Sequence, residues 1–132
     1  MTLLLDTHIF WRWKMEEGRL SREQARALER IDATNPALVS EISLLEFAML
    51  FSLGRIRSKL PLREWLEKAV APPLVERVAI SPAIAAETAM LPNWFQRDPA
   101  DRILVATARI HGATLVTSDA RIIDAALVAT LD

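Results

Sequence analysis

The chain has 132 residues, 52% of them hydrophobic, and a formal net charge of −1. That length suits one domain over residues 1–132, and the composition excludes a disordered or acidic-tail protein. The absence of cysteine excludes a disulfide scaffold, a thiolate zinc site and a Cys nucleophile. The basic excess of a duplex-coating protein is also missing, although Arg55, Arg57, Lys59 and Arg63 cluster, and Arg12 and Lys14 follow the first acid closely.

The opening Met1-Thr2-Leu3-Leu4-Leu5-Asp6 reaches an acid too early for a signal peptide. No apolar run is long enough to cross a bilayer. A cytoplasmic protein with no membrane partner is therefore expected. Leu3-Leu4-Leu5 reads as a short buried strand, and a helical stretch runs from Thr7 to about Met15, where Gly18 breaks it. Ser21-Arg22-Glu23-Gln24 is a capping box that starts a second helix. Asn35-Pro36 marks a turn before a second strand, Ala37-Leu38-Val39.

Ser43-Leu44-Leu45-Glu46 has the same capping-box spacing and predicts the start of an apolar helix through Leu53, stopped by Gly54. A short amphipathic helix, Leu62 to Val70, ends before Pro72-Pro73, and Val75 to Ile80 reads as a strand. Ser81-Pro82 opens a helix that Pro92 ends. Asp98-Pro99-Ala100-Asp101 opens the strongest helix, with Asp98 as cap and Asp101 in the first turn; Gly112 stops it. A strand over Ala113 to Val116, a helix of about Arg121 to Leu127 and a terminal strand at Val128 to Leu131 complete the pattern. Alternating strands and helices give the α/β class: a mostly parallel sheet with helices on both faces.

In such sheets ligands bind beyond the carboxyl ends of the strands. Asp6 and Asp119 stand at such ends, while Glu46 and Asp101 lie inside helical patterns that follow strands. Each acid alone has an ordinary explanation. Asp6 suits a turn, Glu46 the third position of a capping box, Asp101 the dipole of its helix, and Asp119 an N-cap. All four at one end of a single sheet are harder to explain that way, because like charges repel unless a cation holds them. Hard carboxylate oxygens suit Mg²⁺ or Mn²⁺, and such ions assist phosphodiester hydrolysis. Only three glycines and two histidines are present, so neither a phosphate-cradling loop nor a His-Glu-x-x-His zinc motif exists. Trp11, Trp13, Trp65 and Trp94 could stack on bases, but core or interface anchoring accounts for most of them.

These residues also carry a resemblance. Leu5-Asp6-Thr7-His8, the segment Val39 to Ala48 with Glu46, Arg97-Asp98-Pro99-Ala100-Asp101-Arg102 and Val116-Thr117-Ser118-Asp119 resemble, in order, the four motifs of PIN-domain ribonucleases, in particular VapC-like toxins of bacterial toxin–antitoxin pairs. The resemblance implies a three-layer α/β/α sandwich and a metal-dependent endoribonuclease using Mg²⁺ or Mn²⁺. It implies Asp6, Glu46, Asp101 and Asp119 as catalytic metal ligands, Thr117 as a hydroxyl supporting Asp6, and Asp98 as a supporting acid or helix cap. It further implies an RNA substrate, a homodimer and a small inhibitory antitoxin. Leu45, Leu50, Gln96 and Ala100 depart from the common pattern, and none of them is an expected ligand. From the residues alone, the competing expectation is a non-catalytic interaction module whose acids cap helices and dock a basic peptide.

Overall fold

The computed structural model describes residues 1–132. Twelve elements follow in chain order: β1 (Leu3–Leu5), α1 (Thr7–Met15), α2 (Arg22–Glu29), β2 (Ala37–Ser40), α3 (Glu41–Ser52), α4 (Leu62–Ala69), β3 (Val75–Val78), α5 (Pro82–Met90), α6 (Pro99–His111), β4 (Thr114–Val116), α7 (Ala120–Ala125) and β5 (Thr130–Leu131). The five strands form one wholly parallel sheet in the order β3-β2-β1-β4-β5. Parallel strands need crossovers, and the helices supply them on both faces. The α/β/α sandwich expected from the alternating pattern is the architecture found.

Two apolar layers hold it. Leu4, Leu38, Val78 and Leu115 pack with Ile84, Leu104, Val105 and Ile122 on the face covered by α5, α6 and α7. Leu3, Leu5, Val39, Val75 and Val116 pack with Ile9, Phe10, Leu28 and Val70 on the other. Alternate residues of each short strand thus feed opposite layers, the period of two that a sheet covered on both faces requires. Trp65 stacks on Phe47 at a centroid distance of 4.0 Å, so it anchors α4 on α3. Trp94, by contrast, stands 68% exposed.

Most helix starts lie where the local chemistry puts them. Ser21 and Gln24 form the reciprocal capping box, Ser81 accepts from Ile84 N–H, and Asp98 accepts from the amides of Ala100 and Asp101. Gly112, at φ +60°, supplies the left-handed turn that ends α6 and returns the chain to β4. One start differs from expectation. Ser43-Leu44-Leu45-Glu46 is not a capping box: α3 begins at Glu41, and the Ser40 hydroxyl caps it by accepting from Ile42 N–H at 3.2 Å. Residues three apart share a helix face wherever they sit in a helix, so the same spacing instead aims Ser43 and Glu46 together toward α1. Smaller differences fall at element ends. β3 stops at Val78, α7 runs only to Ala125 because Ala126 turns left-handed, and β5 is confined to Thr130–Leu131.

Strand order reverses direction between β1 and β4: from β1 the chain moves outward to β2, and β4 returns on the other flank. Adjacent crossovers diverge there and leave a crevice at the carboxyl edge. Asp6 follows β1 and Asp119 follows β4, so both stand at its mouth.

Candidate active site

Asp6 is the most constrained acid. Its backbone N–H extends the sheet by donating to Val116 O at 3.0 Å. Its side chain caps α1, with Oδ1 accepting from Thr7 N–H at 2.7 Å, while Oδ2 accepts the Thr117 hydroxyl at 2.6 Å. Thr117 is fully buried, and its oxygen also accepts from Asp119 N–H at 3.0 Å. One hydroxyl therefore ties the loop after β4 to the acid after β1. His8 closes the same corner. Its Nε2 accepts from Ser118 N–H at 3.1 Å, which leaves the proton of the neutral ring on Nδ1, 3.5 Å from Asp6 Oδ2. Behind the loop, the buried Gln24 amide donates to Ser118 Oγ at 3.0 Å.

Glu46 is held by α1. Thr7 donates its hydroxyl to Glu46 Oε1 at 2.5 Å. Ser43 Oγ lies 2.7 Å from the same Thr7 oxygen, and since Thr7 has one proton to give, Ser43 is the donor in that contact. The result is a directed relay from Ser43 through Thr7 to Glu46. Burial pushes the Glu46 carboxyl above its ordinary range; the Thr7 bond opposes this, and the charges of Asp6, Asp101 and Asp98 add to it.

Asp101 reaches the cleft from the first turn of α6. Its Oδ2 accepts from Gln96 Nε2 at 2.7 Å. Burial raises its carboxyl too; the Gln96 bond opposes the rise, and Asp98, Asp6 and Asp119 reinforce it. Gln96 owes its position to Arg102, whose guanidinium donates to the carbonyls of Thr88, Pro92, Phe95 and Gln96. Asp119 caps α7 by accepting from Arg121 N–H at 2.9 Å and is gripped by the Arg121 guanidinium. Burial pushes Asp119 up, but the Arg121 hydrogen bonds and charge outweigh it and hold the carboxyl below its usual range.

All four expected acids, with Asp98, line one open cleft of about 460 Å³ whose far wall is Trp11, Met49, Leu50 and Leu53. Thr117 lies beneath, on Asp6. A hollow of about 300 Å³ at the amino end of β1, lined by Met1, Leu3, Ala27 and Leu131, carries only one acid, Glu23. Burial first, and then neighbouring carboxylates, raise Glu46 and Asp101, so the cleft gathers negative charge that a counter-ion would relieve. The donors are hard oxygens, which fits Mg²⁺ or Mn²⁺ rather than zinc or copper. No three carboxylate or imidazole groups converge on a single point. That suits an ion sharing its shell with water and substrate oxygens, as Mg²⁺ commonly does.

Sequence reasoning gave no site role to Thr7, His8, Gln96 or Arg121, and it read Ser43 only as a helix cap. The i, i+3 spacing of Ser43 and Glu46 and the Asp119-x-Arg121 step were the available signals. The His8–Ser118 contact depends on β1 lying beside β4, which no local pattern encodes.

The PIN domain family matches residues 3–127. Ribonuclease VapC22 of Mycobacterium tuberculosis is 40% identical over 121 residues, covering 92% of this chain and 89% of that protein. The fold superposes on a chain of the VapBC2 crystal structure from Rickettsia felis, bound to a promoter DNA fragment, with TM-score 0.72 and 17% identity, covering 99% of this chain and 98% of that one. It also superposes on a chain of a toxin–antitoxin complex from Klebsiella pneumoniae with TM-score 0.67 and 23% identity, covering 99% and 97%. The motifs, the sheet order and these matches agree: the chain belongs to the PIN-domain family, in its VapC-like branch.

Proposed function

We propose that this chain is a metal-dependent endoribonuclease and the toxin of a toxin–antitoxin pair. The observation that carries the reading is the convergence of Asp6, Glu46, Asp101 and Asp119 on one cleft at the sheet's switch point, with Asp6 locked by Thr117. The 40% identity to a ribonuclease supports the reaction class.

Asp6, Glu46, Asp101 and Asp119 would hold Mg²⁺ or Mn²⁺, with Thr117 supporting Asp6 from beneath and Asp98 capping the helix that carries Asp101. When bound, the ion supplies Lewis-acid charge beside a phosphodiester and eases ionisation of water. The chain's own contributions are positional and protonic. Thr7 and Thr117 are neutral donors that fix Glu46 and Asp6 without cancelling their charge. Glu46, raised by burial, is the acid suited to accept a proton from attacking water at Oε2 while Oε1 stays with Thr7. Thr7, the hydroxyl that lines the cleft, gives its proton to Glu46 and accepts from Ser43, so we read the hydrolysis as direct attack by water, without a covalent enzyme intermediate.

Leu45 and Met49 on α3 and Leu53 at its C-cap form an exposed apolar stripe, and Met49 and Leu53 reach the cleft. An apolar rim beside an acidic cleft suits an antitoxin segment combining apolar and basic residues. Residues 1–132 would act as one cytoplasmic domain and pair as a homodimer. No helix is long and apolar enough to cross a membrane.

Purified protein is expected to cleave RNA with Mg²⁺ or Mn²⁺ and to stop in EDTA. Wild-type cleavage rates from both Asp6→Asn and Asp101→Asn would show the reading to be wrong. Titration of Mn²⁺ by calorimetry separates it from a non-catalytic docking module, which would bind none.

A further inference from the structure

Arg121 is the one cation among the groups that line the acidic cleft, apart from what His8 carries when protonated. Its fork engages both oxygens of Asp119: Nε lies 3.3 Å from Oδ1 and Nη2 lies 3.1 Å from Oδ2. The same Nη2 lies 3.8 Å from Asp101 Oδ2. Those two carboxylates belong to different helices, α7 and α6, so the guanidinium spans them. A carboxylate gripped on both oxygens has little lone-pair capacity left for another cation.

The grip is reversible in construction. The Arg121 side chain is 67% exposed, so nothing packs it in place. It also borders a second hollow, of about 250 Å³, lined by Trp94, Phe95, Gln96 and Asp124. Asp124 lies three residues on, on the same helix face, and offers an alternative carboxylate. The helix cap does not depend on the side chain, because Asp119 Oδ1 accepts from the Arg121 backbone N–H independently.

We propose that Arg121 is the cleft's own displaceable counter-cation: it neutralises Asp101 and Asp119 while no divalent ion is present, and it withdraws toward Asp124 and Trp94 when one binds. The inference rests on the metal-dependent reading above and adds to it a competition that weakens ion binding. An arginine in this position makes the resting cleft less repulsive and raises the ion concentration at which the site fills.

The test uses the full chain freed of metal by EDTA and dialysis, with Mn²⁺ alone as the probe. In calorimetry Arg121→Met, which keeps the aliphatic stem and loses the charge, is expected to bind Mn²⁺ roughly three- to tenfold more tightly than wild type. Arg121→Lys, charged but without the fork, falls between them. In EDTA Arg121→Met melts below wild type, and saturating Mn²⁺ closes the gap. Equal or weaker Mn²⁺ binding by Arg121→Met, with wild-type binding measurable, overturns the proposal and leaves the metal reading intact. The same holds if the variant loses RNA affinity in EDTA at unchanged Mn²⁺ affinity, which would make Arg121 a phosphate contact. If neither protein binds Mn²⁺, the metal reading itself fails and takes this inference with it.

Discussion

The two halves of the cleft hold their acids by different physics. On the inner half, Asp6 and Glu46 are fixed by hydroxyls and a backbone amide, from Thr117, Thr7 and Thr7 N–H. On the outer half, Asp119 is held by a guanidinium and Asp101 by an amide side chain on a loop. Neutral donors set direction and leave the charge intact, whereas a cation sets direction by cancelling it. The inner half therefore carries no internal cation and is geometrically fixed. The outer half is adjustable, and its negative charge is shared with a side chain that water can reach. On the proposed reading, an ion entering this cleft would meet both a rigid seat and a partner that yields.

The largest effect that would sharpen this contrast is chemical. Asp6→Asn keeps the cap on α1 and removes the charge, so RNA cleavage is expected to fall by about 100-fold or more at nearly unchanged melting temperature. An inner-half variant that keeps full activity would break the comparison. Next is the scaffold of the outer half. Arg102→Ala strips donors from three loop carbonyls and one in the last turn of α5 and should cost about 2–3 kcal/mol in urea unfolding. It should also release Gln96 from Asp101. Thr117→Val leaves Asp6 Oδ2 and Asp119 N–H without their shared partner and should cost about 1–2 kcal/mol, with Thr117→Ser recovering most of it.

The smallest effect concerns protons. Glu46 and Asp101 sit above their ordinary values in the folded chain. The folded state therefore binds their protons more readily than the unfolded state, and metal-free stability rises as pH falls from neutrality into the ordinary carboxylate range. Asp119 is held below its ordinary value, so its contribution runs the other way: it is present above that value and lost as pH falls through the lowered one. Melting in EDTA between about pH 7 and pH 5 should show the rise. Glu46→Gln should reduce it to the part that Asp101 contributes and leave the neutral-pH protein as stable as wild type or slightly more so. A rise of the same size in Glu46→Gln would locate it elsewhere.

What was legible in the sequence follows the reach of each interaction. Caps and stops act over one turn, so Ser21, Ser81, Asp98 and Gly112 were readable from neighbours alone. Asp6 and Asp119 were readable as strand-end acids because apolar runs precede them. Ser43 and Glu46 misled because one spacing has two meanings: a reciprocal cap at a helix start, and a shared face in its interior. Ser40, ending β2 just upstream, took the cap and left the pair free to meet Thr7. The Arg102 staple and the His8–Ser118 contact were invisible because each joins segments that only the finished topology brings together. Arg121 was missed for another reason: its bond to Asp119 is local, but its meaning comes from Asp101 on a separate helix.

Asp6, Asp98 and Asp119 each serve as the N-cap of the helix that follows. Asparagine caps a helix about as well as aspartate, so a one-base change of character at these positions discards charge and spares architecture. A lineage released from the need to cut could thus drift to a silent, well-folded descendant by single steps. Such a descendant would keep the shape of the cleft and, if the proposed antitoxin docks there, would still draw it away from active relatives.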